Sequence, residues 1–314
     1  MKALLARLTL GLATLGLAAC AATDALGPTS ATQQSNAPLR IAVIGDRTGG
    51  HRPHVFERAM EHIEQLQPDL VLSVGDLVEG YVEDEDELAR QWDEIEALIA
   101  PFGSRFLSVP GNHDYANATM ARIWTERRGT PYWSEVRDGV LILGLSTEDP
   151  PVPLPESAVE GHLRLQAAIA SDPEGTQARI LEAYRDRENV EKPGEVAISD
   201  AQVEHFRQVL GANPAPRWTI VLMHKPAWIY DSANFERIEA MLGDRPYTMI
   251  AGHEHYYAHE ERFGRDYITT GTTGGIWLQD GPGRVDHLLW VALGEGEPTF
   301  TNIGIDGMFG VTGR

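Results

Sequence analysis

Five times along this chain a short apolar run stops at a residue able to bind a metal ion: Asp46, Asp76, Asn112, His224 and His253. The first run, Leu39-Arg40-Ile41-Ala42-Val43-Ile44, has the composition of a buried strand and gives way to Gly45-Asp46-Arg47-Thr48-Gly49-Gly50-His51. Alone, that segment is open to three readings: a nucleotide-binding loop, a metal site or a plain turn. Asp69 to Val74 repeats the pattern and reaches Gly75-Asp76, and Arg105 to Val109 runs into Pro110-Gly111-Asn112-His113-Asp114. Trp218 to Met223 ends on His224, and Tyr247 to Ala251 ends on Gly252-His253-Glu254-His255. Helical stretches alternate with these runs: Pro53 to Gln67, a face of Leu88, Trp92, Ile95 and Leu98 or Ile99 behind the acidic run Glu83 to Glu87, and a Ser199-capped stretch through Leu210. Strands alternating with helices indicate an α/β fold, in which ligands gather beyond the carboxyl ends of the strands. Residues far apart in the sequence can therefore meet there.

Carboxylate, imidazole and amide oxygen without thiolate suit manganese, iron or zinc, whereas three imidazoles are too many for calcium. A carboxylate between two ions can bridge them and hold both near one water, an arrangement that performs in-line attack at phosphorus. Asp46 in GD, Gly75-Asp76 with Gly80, GNHD at 111–114, His224 in LMHKP and GHEH at 252–255 fall in the order of the five blocks of the calcineurin-like metallophosphoesterases, and the chain resembles that family over about residues 40 to 280. The resemblance implies a four-layer fold, a central β-sandwich flanked by α-helices, with two divalent or trivalent ions at one edge. It implies Asp46 and His255 on the first ion, Asn112, His224 and His253 on the second, and Asp76 between them. It further implies His113 as the catalytic histidine acting on the leaving oxygen, Asp114 as the group that orients it, and a metal-bound hydroxide as nucleophile. Hydrolysis of a small phosphorylated substrate, monoester or diester, is the expected activity.

One position departs from the family. Its first block usually reads Asp-x-His, the histidine being a further ligand of the first metal, and here that place is Thr48. The first site then keeps Asp46, Asp76, His255 and solvent, with His51 as a replacement if the Gly49-Gly50 hinge swings it inward. The departure also supports an alternative function, a non-catalytic binding or scaffold module with a degraded first site. Arg47, a fixed bidentate cation beside a metal ligand, is the candidate phosphate clamp. His54, His62, His162, His205, His259 and His287 belong to no block and read as surface or core, and Trp228, Tyr230, Tyr256 and Tyr257 read either as cleft lining or as packing.

Residues 1–19 carry Lys2 and Arg7 ahead of an apolar run too short to span a bilayer, the pattern of a secretory signal. Leu17-Ala18-Ala19-Cys20 resembles the lipobox of bacterial lipoproteins, whose cysteine becomes the lipidated N-terminus, and Cys20 is the only cysteine. Residues 20–38 then form a tether to a domain spanning 39–314. By the same resemblance, Ala21 after the cysteine favours the periplasmic side of the outer membrane, with membrane contact through the lipid alone. Within the domain, prolines 150, 151, 153 and 155 open a polar helical insertion at about 147–196, with helices expected over Glu156 to Ser171 and Glu174 to Asn189. Against 46 acidic residues stand 26 cations, a net charge of −20, which disfavours nucleic acid as a partner.

Overall fold

A computed structural model describes residues 37–185, 196–305 and 310–311; the expected signal, Cys20 and most of the tether lie outside these residues. In chain order the first elements are β1 (Leu39–Ile44), α1 (Val55–Leu66), β2 (Leu70–Ser73), α2 (Glu85–Ile99) and β3 (Phe106–Ser108). Next come the short α3 (Asn112–Tyr115), α4 (Ala118–Arg128), β4 (Trp133–Arg137), β5 (Val140–Gly144) and β6 (Glu148–Asp149). The middle holds α5 (Glu156–Ser171), α6 (Pro173–Ala183), β7 (Ala197–Ile198), α7 (Asp200–Ala212), β8 (Trp218–Leu222), α8 (Ala233–Leu242) and β9 (Tyr247–Ala251). The tail adds β10 (Ala258–Arg262), β11 (Arg265–Thr269), β12 (His287–Leu293), β13 (Thr299–Gly304) and β14 (Gly310–Val311).

These strands form two six-stranded sheets, ordered β14-β13-β12-β1-β2-β3 and β10-β11-β9-β8-β5-β4. Alternation along each central strand explains why both faces are apolar. In β1, Ile41 and Val43 join Leu70 and Leu72 against Ile142, Ile220, Leu222 and Ile250 of the other sheet. The intervening Ala42 and Ile44 face Phe56, Ala59 and Ile63 of α1 and Trp92 and Ile95 of α2. On the far side, Leu141, Leu143, Val221 and Met249 meet Val203 and Phe206 of α7 and Phe235 and Ile238 of α8. The result is the expected four layers, helix, sheet, sheet, helix, and strands buried on both faces read as continuous apolar runs. Among the described residues no helix is long and apolar enough to cross a membrane.

Parallel pairing sets the position of the site. β1, β2 and β3 run parallel, with Ile44 beside Ser73 and Ser73 beside Ser108, so their carboxyl ends align. β5, β8 and β9 do the same in the second sheet, with Leu222 beside Ile250.

Several elements differ from the sequence expectation, α4 and α8 among them as helices it does not anticipate, and three differences have a local cause. The helix expected from Pro53 begins at Val55, because His54 sits at φ 69°, outside the helical region. In the insertion, the Asp172 carboxylate caps α6 by taking the Gly175 N–H at 3.0 Å, so the helix starts at Pro173; it ends at Ala183, and the expected stretch over 186–189 lies outside the described residues. The third is β10, which periodicity does not predict, since Ala258-His259-Glu260-Glu261-Arg262 is a polar, exposed edge strand without apolar alternation. The insertion itself has a closed base, because β6 and β7 pair in parallel, Glu148 beside Ala197 and Asp149 beside Ile198.

Candidate metal centre

The loops that follow the aligned strands are bound to one another through their carboxylates. Asp76 Oδ1 accepts the His113 N–H at 2.9 Å, and both oxygens of Asp46 accept the His253 N–H, at 3.0 and 3.1 Å. Gly111 allows the first contact, because a Cβ there would lie 2.1 Å from Asp76 Oδ1. Asp76, His253 and His255 adopt φ of 55°, 70° and 50°. Left-handed backbone at non-glycine residues costs roughly 1–2 kcal/mol each. Strain of this kind persists where the surroundings enforce it, commonly at functional sites.

The second metal position can be tested from hydrogen-bond logic. His224 Nδ1 is 3.0 Å from the Val74 carbonyl, which can only accept, so Nδ1 carries the proton and Nε2 presents a lone pair. That lone pair faces Asn112 Oδ1 at 2.9 Å and Asp76 Oδ2 at 3.4 Å, with His253 Nδ1 at 3.2 Å. Asn112 Nδ2 donates to the Tyr81 hydroxyl, which fixes the amide with its oxygen inward. Burial, reinforced by His253 and Lys225, pushes His224 well below the usual imidazole range, so it does not supply the missing positive charge. Burial and the charges of Asp46 and Asp114 push Asp76 well above the usual carboxylate range. Acceptors crowded around one point, with two buried carboxylates beside them, are the environment a divalent cation satisfies. The donor set fits the implied metal.

The first position is sparser. His255 Nδ1 bonds to the Ile276 carbonyl, so its Nε2 lone pair faces Asp46 Oδ1 at 3.7 Å, again acceptor to acceptor. Thr48 is buried, its N–H on the Asp76 carbonyl at 3.2 Å. Gly49 follows at φ 82°, so close that a Cβ would meet His255 Cε1 at 2.7 Å. His51 donates its backbone N–H to Glu79 Oε1 at 2.6 Å, and among the described residues no bond joins its ring to Asp46 or His255.

Two expected roles are corrected. Asp114 does not hold the His113 ring: Oδ1 takes the N–H groups of Leu77 and Val78 at 2.9 and 3.1 Å, and Oδ2 takes that of Gly111 at 2.9 Å. It pins the two glycine-containing loops together, and burial pushes it up to about 6. His113 Nδ1 donates instead to the Glu79 carbonyl at 2.8 Å, and burial, with His162 alongside, pushes the ring down to about 3. Arg47 is no phosphate clamp. Its guanidinium is buried, donates to the Leu77 carbonyl at 3.1 Å, pairs with Glu94 of α2 and lies over Phe56. Helix α2 supplies the carboxylate that draws it away from the candidate metal ligands.

Glu79, which lies within the second block without being one of its matched residues, and His162, which lies in no block, also enter the site. The Glu79 carboxylate lies 4.0 Å from His113 Nδ1 and 3.1 Å from His162 Nε2. Burial pulls Glu79 upward, but the bond from His162 and the nearby His113 prevail and hold it below the usual carboxylate range. Glu79, His113 and His162 could nominally ligate a cation. His113 Nδ1, however, is committed to a carbonyl, so the cluster is a hydrogen-bonded one. Of the aromatics, Tyr230 adjoins the centre, 6.3 Å from His253, while Trp228 is buried with its N–H on Glu260.

Residues 39–257 match the family described as calcineurin-like phosphoesterase. Among solved structures, a dimetal phosphatase from Danio rerio superposes with a TM-score of 0.59 at 15% identity, over 88% of this chain and 99% of that one. A purple acid phosphatase from yellow lupin gives 0.57 at 11% identity, over 88% of this chain and 53% of that one. A protein described as the anchor in the inner membrane complex of Plasmodium gives 0.52 at 11% identity, over 88% and 87%. At such identities the likeness is one of fold. No curated protein matches the chain.

Proposed function

Because this chain belongs to the calcineurin-like phosphoesterases, we propose that it hydrolyses small phosphate esters at a dinuclear metal centre formed by Asp46, Asp76, Asn112, His224, His253 and His255. The supporting observation is the meeting of the His224 Nε2 lone pair with Asn112 Oδ1 and Asp76 Oδ2, all three acceptors once the carboxylate is ionised. When bound, two divalent ions such as manganese, iron or zinc supply the positive charge that activates water and stabilises charge developing on the phosphoryl oxygens.

The chain's own residues supply orientation and proton handling. Asp76 offers a carboxylate oxygen within 4.8 Å of donor atoms of both Asp46 and His224, and with them would hold a metal ion. His113 is fixed at Nδ1 by the Glu79 carbonyl, so it exchanges protons at Nε2 alone. Buried and neutral before substrate arrives, it gains affinity for a proton once an anionic phosphoryl group lies beside it, which suits protonation of a leaving alkoxide. Asp114 holds the loops that carry Asp76 and His113 in register.

The test is a panel of chromogenic mono- and diesters with manganese, zinc, iron and magnesium, run on the wild type, Asp76→Asn and His113→Ala. Metal-dependent turnover is expected, with kcat lowered about 100-fold or more in each variant at unchanged circular dichroism. A folded, metal-loaded wild type that turns over no ester would instead support the scaffold reading. As to place, Leu17-Ala18-Ala19-Cys20 supports a lipid anchor on Cys20, and Ala21 after it supports the periplasmic face of the outer membrane. Labelled palmitate should enter the wild type and not Cys20→Ser.

A further inference from the structure

The residues around His113 form a chain of restraints that ends in the insertion. Its Nδ1–H is held by the carbonyl of Glu79, whose own carboxylate is held at both oxygens. Oε1 accepts the His51 N–H at 2.6 Å, while Oε2 forms a triangle with His162 Nε2 at 3.1 Å and the Gln166 amide at 3.0 Å. The third side, Gln166 Nε2 to His162 Nε2 at 2.6 Å, is a contact and not a bond, because both nitrogens donate to the Glu79 carboxylate. His162 and Gln166 stand one turn apart on α5 and so face the same way. The rings repeat the restraint. His162 packs edge-on against His113 with centroids 4.7 Å apart, Tyr81 packs against it at 4.5 Å, and His162 and Tyr81 meet at 5.2 Å. His113 is thus wedged between a ring from its own side of the site and a ring from the insertion.

We propose that His162 is a positioning residue for His113: through Glu79 and by ring contact, helix α5 fixes the tautomer and ring orientation that leave the His113 Nε2 atom free for the ester. A carbonyl that accepts from Nδ1 dictates Nε2 as the working atom, as partners of functional histidines commonly do. The Glu79 side chain ties that carbonyl to α5, beside the bond that the Gly80 N–H of the same peptide makes to Gln91 at 3.0 Å. The insertion has anchors independent of His162. Buried Ile169 abuts Gly50, where a Cβ would lie 2.7 Å from its Cδ1. Gln177 makes two bonds to the Trp277 backbone, at 2.8 and 3.0 Å. Replacing His162 therefore tests the ring and its bond without undocking the helices.

The catalytic consequence rests on the ester-hydrolase reading, whereas the tautomer does not, so both are measured on the zinc-loaded full protein. Long-range ¹⁵N NMR of labelled histidines should show His113 protonated at Nδ1 in the wild type and in His162→Gln, and a mixture of tautomers in His162→Ala. In turnover, His162→Ala should lose about 10- to 100-fold in kcat with KM and zinc content little changed, and His162→Gln should recover most of that loss. If His162→Ala does not fold, His162→Phe keeps a ring and removes only the bond to Glu79, and the same changes are expected of it. An unchanged His113 tautomer, or an unchanged kcat in an active protein, overturns the proposal. A tautomer that shifts as expected in a protein whose wild type hydrolyses no ester overturns the hydrolase reading and leaves the positioning role standing.

Discussion

At the scale of single residues, the same side chain serves different ends according to what surrounds it. His224 and His287 are both buried histidines, yet only the first faces other acceptors. His287 accepts the Gly271 N–H on Nε2 at 2.8 Å and donates from Nδ1 to Asn302 at 2.8 Å, so the neutral ring is fully satisfied. Burial, only partly countered by Asn302 and Asp286, pushes it down to about 4. A histidine whose folded pKa lies below its unfolded value contributes stability that is complete above about pH 6.5 and is lost as pH falls to about 4, because the unfolded chain binds the proton first. That loss is roughly 3 kcal/mol. Urea titrations at about pH 7 and about pH 4.5 should show most of it, and His287→Gln should flatten that part of the profile. The candidate ligands are legible in the sequence because each stands at or just beyond the end of an apolar run within a short block. Arg47 misleads because adjacency to Asp46 does not reveal direction: its partner, Glu94, lies on a helix the local sequence cannot see. His162 escapes notice for the same reason, since its contact with His113 arises only when the insertion folds back.

Among elements, central strands are readable and peripheral ones are not. β1, β8 and β9 are apolar on both faces and announce themselves, whereas β10 is an exposed edge whose pairing with β11 is decided by the neighbour it extends. Helix ends shift where one backbone angle or one cap overrides periodicity, at His54 and Asp172. Helix α6 is tied to the tail by the largely buried Gln177, which pairs with both the N–H and the C=O of Trp277. Gln177→Ala should raise amide exchange across α6 by about 10-fold or more, the equivalent of losing one to two net hydrogen bonds, with exchange in β1 and β8 unchanged. Uniform acceleration would show instead that α6 opens only with the whole domain.

For the whole molecule, the layer order follows from two facts legible in the sequence, apolar strands and intervening amphipathic helices. Which helices cover which sheet is not legible, because both faces of both sheets are equally apolar. The net charge of −20 acts at this scale too. It repels anionic esters at long range, so kcat/KM for a doubly charged substrate should rise severalfold between about 0.01 and about 0.15 M salt, as the screening length shrinks from about 30 to about 8 Å. A fall over that range in stopped-flow or progress-curve measurements would show that local positive charge governs encounter. One further property follows from the paired base of the insertion. Glu148 and Ala197 lie side by side, with the Ala197 N–H on the Thr147 carbonyl at 2.8 Å, so the chain leaves the domain and returns at nearly the same point. The paired base therefore makes the loop-closure cost of the insertion nearly independent of its length, so changes of length away from α5 and α6 leave the strand ends that carry the candidate ligands in their places.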